Sequence, residues 1–126
     1  MIKFWSYQTE YKNNRKKILK SIDSTIKNGS IFFGKQLRIF EKNFIKQNKG
    51  NYGAAVGSGT DALIIALKLF DVQKGDEIIT VSNTAIPTIS AIINVGGKPK
   101  FVDIGSDYLI DANKIEKLIN KKTKVI

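Results

Sequence analysis

The segment Ala54-Ala55-Val56-Gly57-Ser58-Gly59-Thr60-Asp61-Ala62-Leu63 decides the fold. A short apolar run enters a turn with two glycines, and the turn opens directly onto a second apolar run long enough for a helix. Glycines let the backbone approach a ligand closely, the first amides of a helix have no internal acceptor, and the helix dipole adds about half a positive charge at that end. Phosphate fits such a place. Ser58 and Thr60 can add hydroxyl donors beside the amides of Gly59, Thr60 and Asp61. The same residues admit a plainer reading, in which Ser58 or Thr60 caps the helix and the glycines only make a tight turn.

Outward from this turn the chain alternates short apolar runs with helical ones, the pattern of βαβ units and a parallel sheet. A first strand is expected at about 52–56 and a helix at about 60–70. That helix, with Leu63, Ile64, Ile65, Ala66, Leu67, Leu69 and Phe70, is apolar nearly all round and should be buried on more than one side. Lys74, Gly75 and Asp76 turn into a second strand at 77–81, followed by a crossover helix at about 84–95. Pro87 falls in its first turn, where a missing amide hydrogen costs nothing, and Gly96 and Gly97 end it. A third strand is expected at 100–104. Asp111 then serves as N-cap for a helix carrying Ile115, Leu118 and Ile119, and Val125 and Ile126 open a fourth strand. A sheet cut at that point leaves ladder groups without partners, so the sequence reads as the front part of a longer protein.

Two helices precede the first strand. Ile18, Leu19, Ile22 and Ile26 recur at helical spacing until Asn28 and Gly29 stop the pattern. Leu37, Phe40, Phe44 and Ile45 mark the second helix, which ends near Gly50. The fold class is therefore α/β: parallel-sheet βαβ units preceded by two helices, with a helical leader over residues 1–50 and the α/β domain beginning at residue 51.

Composition narrows the chemistry. The 126 residues contain no cysteine and no histidine, which excludes thiolate nucleophiles, imidazole bases and the usual zinc sites. The net charge of +10 makes polyanions a natural partner class. Lys12, Arg15, Lys16, Lys17 and Lys20, however, lie on one helical stretch with no base-reading motif, and a solvated face accounts for them. Met1 to Tyr7 holds no apolar run of signal-peptide length, and no stretch approaches the roughly 18 apolar residues of a membrane span. A cytoplasmic protein without membrane contact is expected.

Two cofactor classes compete for the glycine turn. Gly57-x-Gly59-x-x-Ala62 fits the dinucleotide fingerprint, and Glu77 has the spacing of its ribose-binding acid. Glu77 nevertheless stands at the start of a strand, whereas that acid belongs at the carboxyl end, where the sequence reads Val81-Ser82-Asn83. A P-loop is a poorer match still, since no Gly-Lys-Ser or Gly-Lys-Thr follows the glycines.

The sequence resembles the pyridoxal-phosphate-dependent sugar aminotransferases of the DegT/DnrJ/EryC1/StrS type, members of the aspartate aminotransferase fold (fold type I). Four ordered segments carry the resemblance: Gly29 to Gly34 with Phe40-Glu41, Gly57 to Leu63, Gly75 to Val81, and Pro99 to Asp103. It implies an incomplete large domain of that fold. It also implies a homodimeric enzyme that moves an amino group from an amino-acid donor onto a keto-sugar carried by a nucleotide. Ser58, Gly59, Thr60 and Asp61 would then surround the phosphate of pyridoxal 5'-phosphate. A carboxylate repels that phosphate, so only the amide of Asp61 is credited to binding, and its side chain complements the helix terminus.

Two departures from the family pattern stand out. The ring-stacking position, an aromatic in relatives, is Ala85 in Asn83-Thr84-Ala85-Ile86-Pro87-Thr88, and a methyl group packs on a ring without stacking. The family's Schiff-base lysine and the aspartate facing the pyridine nitrogen fall beyond Ile126, so no catalytic residue is assigned and the short chain is expected not to transaminate. A basic α/β module that binds polyanions or a nucleotide without catalysis is the alternative. Phe32 and Phe33 lie where the family's leader nears the nucleotide-sugar pocket, although adjacent loop aromatics also serve as packing anchors.

Overall fold

A computed structural model describes residues 6–126; residues 1–5, and with them most of the Met1 to Tyr7 stretch in which no signal peptide is expected, lie outside the described residues. The chain divides into two compact units, Met1–Ala55 and Val56–Ile126. The first holds α1 (Tyr7–Lys27) and α2 (Lys35–Gln47). Asn28 caps α1 and Gly29, at φ +64°, turns the chain left-handed, as the sequence suggests. The apolar stripe of α1 stays exposed, with Ile18 38% and Ile26 60% accessible. On α2, Phe40 and Phe44 stack one turn apart with ring centroids 5.7 Å from each other.

The expected strand at 52–56 does not form. Those residues are irregular, and the Ala55 amide donates to Glu41 Oε1 at 2.9 Å in place of a ladder partner. Apolar character made the segment extended, but a strand also needs a neighbour, and this one finds none among the described residues.

The second unit runs α3 (Gly59–Leu69), β1 (Glu77–Val81), α4 (Ile86–Asn94), β2 (Lys98–Val102), α5 (Ala112–Ile115) with a 3₁₀ turn at Glu116–Leu118, and β3 (Thr123–Val125). The three strands form a parallel sheet in the order β2-β1-β3. β2 begins two residues earlier than the sequence indicated and so contains Pro99. It is an edge strand, the position in which a residue without an amide hydrogen is tolerated. The last helix is one α turn and one 3₁₀ turn rather than a continuous helix, although Asp111 caps it as expected by accepting from the Asn113 amide at 3.1 Å.

The core lies between the sheet and the α3–α4 pair: Leu67, Val72, Ile78, Ala91 and Ile92 are buried together, with Ile64, Val95 and Val125 packed against them. Gly97 is closely packed here. A Cβ at that residue would sit 2.5 Å from Ile78 Cδ1 and 3.2 Å from the Ile92 carbonyl oxygen, so a side chain would displace the Ile78 methyl within the core and press on the last turn of α4. The expectation that α3 is buried on several sides is not met. Only Leu67 is buried, while Leu69 is 82% accessible.

The amino-terminal edge of the sheet is cross-bonded. The Gly75 amide donates to Gly96 O at 3.1 Å, the Lys98 amide to Asp76 O at 2.7 Å, and the Glu77 amide to Lys122 O at 2.7 Å. The Glu77 carboxylate also accepts from Asn120 Nδ2 at 2.8 Å and Lys100 Nζ at 2.9 Å, joining β1 to β2 and to the lead-in of β3. The Asn120 amide, followed by the Lys100 ammonium, holds the Glu77 carboxyl below the usual glutamate range. A carboxyl lowered in the folded state contributes stability that is fully present above the ordinary glutamate range and is lost as pH falls through its lowered value. Acid unfolding followed by circular dichroism should show this loss, and Glu77→Gln should flatten that part of the pH profile. An unchanged profile in the variant would assign the acid sensitivity elsewhere.

Candidate cofactor site

The loops at the carboxyl edge of the sheet hold the residues singled out in the sequence. α3 ends in the turn that enters β1, and α4 ends in the turn that enters β2; the Gly75–Gly96 bond ties these two turns together. The two helices pack against each other. Their heads therefore both lie at the opposite edge, where β1 gives way to Ser82. In the order β2-β1-β3 the chain leaves β1 for one side and later returns on the other, so that edge is also a topological switch point, where α/β sheets bind ligands.

At the head of α3, Ser58 is extended and acts as N-cap. Its Oγ accepts from the Asp61 amide at 3.1 Å and donates to Asp61 Oδ2 at 2.9 Å, and its carbonyl accepts from the Ala62 amide at 3.1 Å. The capping reading of Ser58 is thus realised, and the Asp61 amide, expected to face a ligand, is held by Ser58. The amides of Gly59 and Thr60 and the Thr60 hydroxyl have no hydrogen-bond partner among the described residues. Three donors remain at one helix end.

Beside the Asp61 carboxylate, the positive potential within this turn comes from the backbone. No Lys or Arg occurs between Ser58 and Leu67, and Lys68 is eight residues beyond Thr60, about 12 Å along the helix at 1.5 Å per residue. Within this turn, oriented amides and the helix dipole are what can hold an anion.

Gly59 tests whether the head of α3 fits a ligand. Its φ is not left-handed, and a Cβ on it would meet no protein atom within 4 Å. Nothing inside the protein requires a glycine there, and in a helix it costs up to about 1 kcal/mol relative to alanine. Space kept clear beside unpartnered amides is the form of a phosphate cradle. Gly59→Ala should leave thermal stability unchanged or slightly raised while weakening the binding of a phosphorylated ligand. Melting curves run beside equilibrium dialysis would show whether the two effects separate.

At the head of α4, Ala85 is the N-cap, exposed and extended, with no side-chain group for the first amides. Thr84 Oγ1 and Thr88 Oγ1 hydrogen-bond to each other at 2.9 Å, and the neighbouring Ile86 is 81% accessible. Ala85 and Ile86 make this part of the edge aliphatic. The only signal of the Thr84–Thr88 pair in the sequence is its four-residue spacing at a helix start. Glu77 lies at the other edge in the cross-bonded network, which removes it as a ribose ligand.

Over 97% of its length the chain matches the crystal structure of S. venezuelae DesV in complex with a ketimine intermediate, with a TM-score of 0.92 and 28% identity, covering 33% of that chain. It also matches NtdA of Bacillus subtilis with bound cofactor PMP, with a TM-score of 0.86 and 33% identity, over 90% of this chain and 26% of that one. The fold is therefore that of part of a fold type I aminotransferase domain. More narrowly, the chain belongs to the DegT/DnrJ/EryC1/StrS aminotransferase family, whose model matches residues 12–126. Among curated relatives, the dTDP-3-amino-3,4,6-trideoxy-alpha-D-glucose transaminase of Micromonospora megalomicea subsp. nigra is 37% identical over 97% of this chain. The dTDP-3-amino-3,6-dideoxy-alpha-D-galactopyranose transaminase of Aneurinibacillus thermoaerophilus is 34% identical over all of it. The chain spans 33% and 35% of the lengths of these two relatives.

Proposed function

We propose that this chain is the amino-terminal third of a pyridoxal-phosphate-dependent aminotransferase acting on a nucleotide-linked keto-sugar. Residues 1–50 form its helical leader and residues 51–126 the start of its cofactor domain. The phosphate of pyridoxal 5'-phosphate is held by the Gly59 and Thr60 amides and the Thr60 hydroxyl, with Ser58 and Asp61 at the rim. Ala85 lies against the ring. The observation that carries this reading is the set of unpartnered donors at the head of α3, beside a glycine that has no reason within the protein to be one.

When bound, pyridoxal phosphate supplies the electron sink for amino transfer. The contribution of these residues is to grip its phosphate and fix its position at the sheet edge. The nucleotide-linked substrate is supported by the two dTDP-sugar transaminases among the relatives. A 3-oxo-glucose-6-phosphate:glutamate aminotransferase of Bacillus subtilis, 36% identical over 86% of this chain, supports glutamate as donor and marks a sugar phosphate as the competing substrate class. The complete enzyme is proposed to be a cytoplasmic homodimer; among the described residues, no helix is long and apolar enough to cross a membrane. The sugar transaminases among the relatives favour this reading over a basic module that binds polyanions or a nucleotide.

The direct test is equilibrium dialysis of the protein with pyridoxal 5'-phosphate and with pyridoxal, which lacks the phosphate. Clear preference for the phosphorylated form, with inorganic phosphate competing, is the expected result. Equal binding of the two would remove the phosphate cup from the account.

A further inference from the structure

We propose that Ser58 and Asp61 are positioning residues, closed on each other, that leave the phosphate to Gly59 and Thr60 and place a like charge at its side. This rests on the cofactor reading above and sharpens it. The hydroxyl of Ser58 has one hydrogen, and that hydrogen goes to Asp61 Oδ2 at 2.9 Å. Its oxygen in turn receives the Asp61 amide at 3.1 Å. Both groups that the sequence offered as phosphate donors at these positions are thereby consumed inside the protein. A phosphate could recruit them only by breaking a hydrogen bond for each one it made, with little net gain.

The pair does a different job. Each member fixes the other, so the first turn of α3 is set before a ligand arrives, and the Gly59 and Thr60 amides are held at a fixed orientation. Asp61 Oδ2 also lies only 3.0 Å from where a Cβ on Gly57 would be, so the carboxylate fills the space that a side chain would take at the entry of the turn. The carboxylate complements the positive end of the helix while the cup is empty. Once a phosphate dianion is bound, the same carboxylate opposes it. No lysine or arginine occurs between Ser58 and Leu67 to offset that charge from within the turn, so the carboxylate subtracts from what the three donors contribute.

The experiment measures, by equilibrium dialysis, the ratio of affinities for pyridoxal 5'-phosphate and pyridoxal, which isolates the phosphate contribution from changes in stability. Ser58→Ala should lower the melting temperature yet change the ratio by less than about threefold, because the Asp61 amide it frees becomes available to the phosphate. Ser58→Thr keeps the hydroxyl and should restore the melting temperature. Asp61→Asn keeps an oxygen acceptor for the Ser58 hydroxyl and removes the charge. It should raise the ratio about three- to tenfold at low ionic strength, with the gain shrinking in salt. If Ser58→Ala cuts the ratio as deeply as Thr60→Ala does, Ser58 is a ligand and the assignment is wrong; a ratio that Asp61→Asn leaves unmoved or lowers also overturns it. A ratio near one in the unaltered protein would instead overturn the cofactor reading, and this assignment with it.

Discussion

Replacing Thr60 by alanine is expected to weaken pyridoxal-phosphate retention by about 10- to 100-fold, the largest effect of any single change at the site. The hydroxyl has no partner among the described residues, so its whole hydrogen-bonding capacity is open to a ligand. A hydrogen bond to a charged group contributes about 1.5–3 kcal/mol, which corresponds to that range of affinity. Stability should move little in the other direction. Thr60 stands in the first turn of α3, and alanine is the better helix former by a few tenths of a kcal/mol. Thr60→Ser, which keeps the hydroxyl, should recover most of the affinity. Retention that survives Thr60→Ala unaltered would leave the amides as the sole anchors.

The largest effect on stability is expected at Ile92. Truncating it to alanine should cost about 2–5 kcal/mol, whereas the same change at its neighbour Ile93 should cost under about 1 kcal/mol. The two residues share a helix, a side chain and nearly the same backbone. They differ in that Ile92 is 2% accessible in the α3–α4–sheet core and Ile93 is 60% accessible. Urea unfolding monitored by circular dichroism distinguishes them through the midpoint, provided the slope is shared. Similar midpoints for the two variants would mean that the buried cluster is not where this unit draws its cohesion.

β1 illustrates what the sequence discloses well. Its bounds, 77–81, coincide with those read from Glu77-Ile78-Ile79-Thr80-Val81, because a β-branched run between a Gly-Asp turn and a Ser-Asn turn leaves few alternatives. The segment 52–56 illustrates the opposite case. Its composition favours extension, yet pairing is a relation between two segments, and no pattern within five residues reports the second. α3 shows the same limit in packing: apolar residues all round state that several faces ask for cover, without stating what supplies it.

The site divides in the same manner. The bare amides of Gly59 and Thr60 are legible because they follow from any glycine turn that opens a helix. The closure of Ser58 on Asp61 is not, since a capping serine and a phosphate-binding serine use the same atoms, and only the geometry shows that the hydroxyl has been claimed. Ala85 was placed through family resemblance alone, as an alanine in a loop carries no chemical signal of its own.

The two rims of the sheet are built under different constraints. Along the amino-terminal rim, bonds run between separate connections, from Gly75 to Gly96, Lys98 to Asp76 and Glu77 to Lys122. Adding or deleting a residue in any one of those connections would tear its neighbour. The loops on the far rim bond mostly within themselves, as Thr84 does to Ser82 and Gly105 does to Leu109. Lengthening one of them would disturb little beyond it. A scaffold hemmed on one side and left loose on the other can be retailored for new ligands without being rewoven.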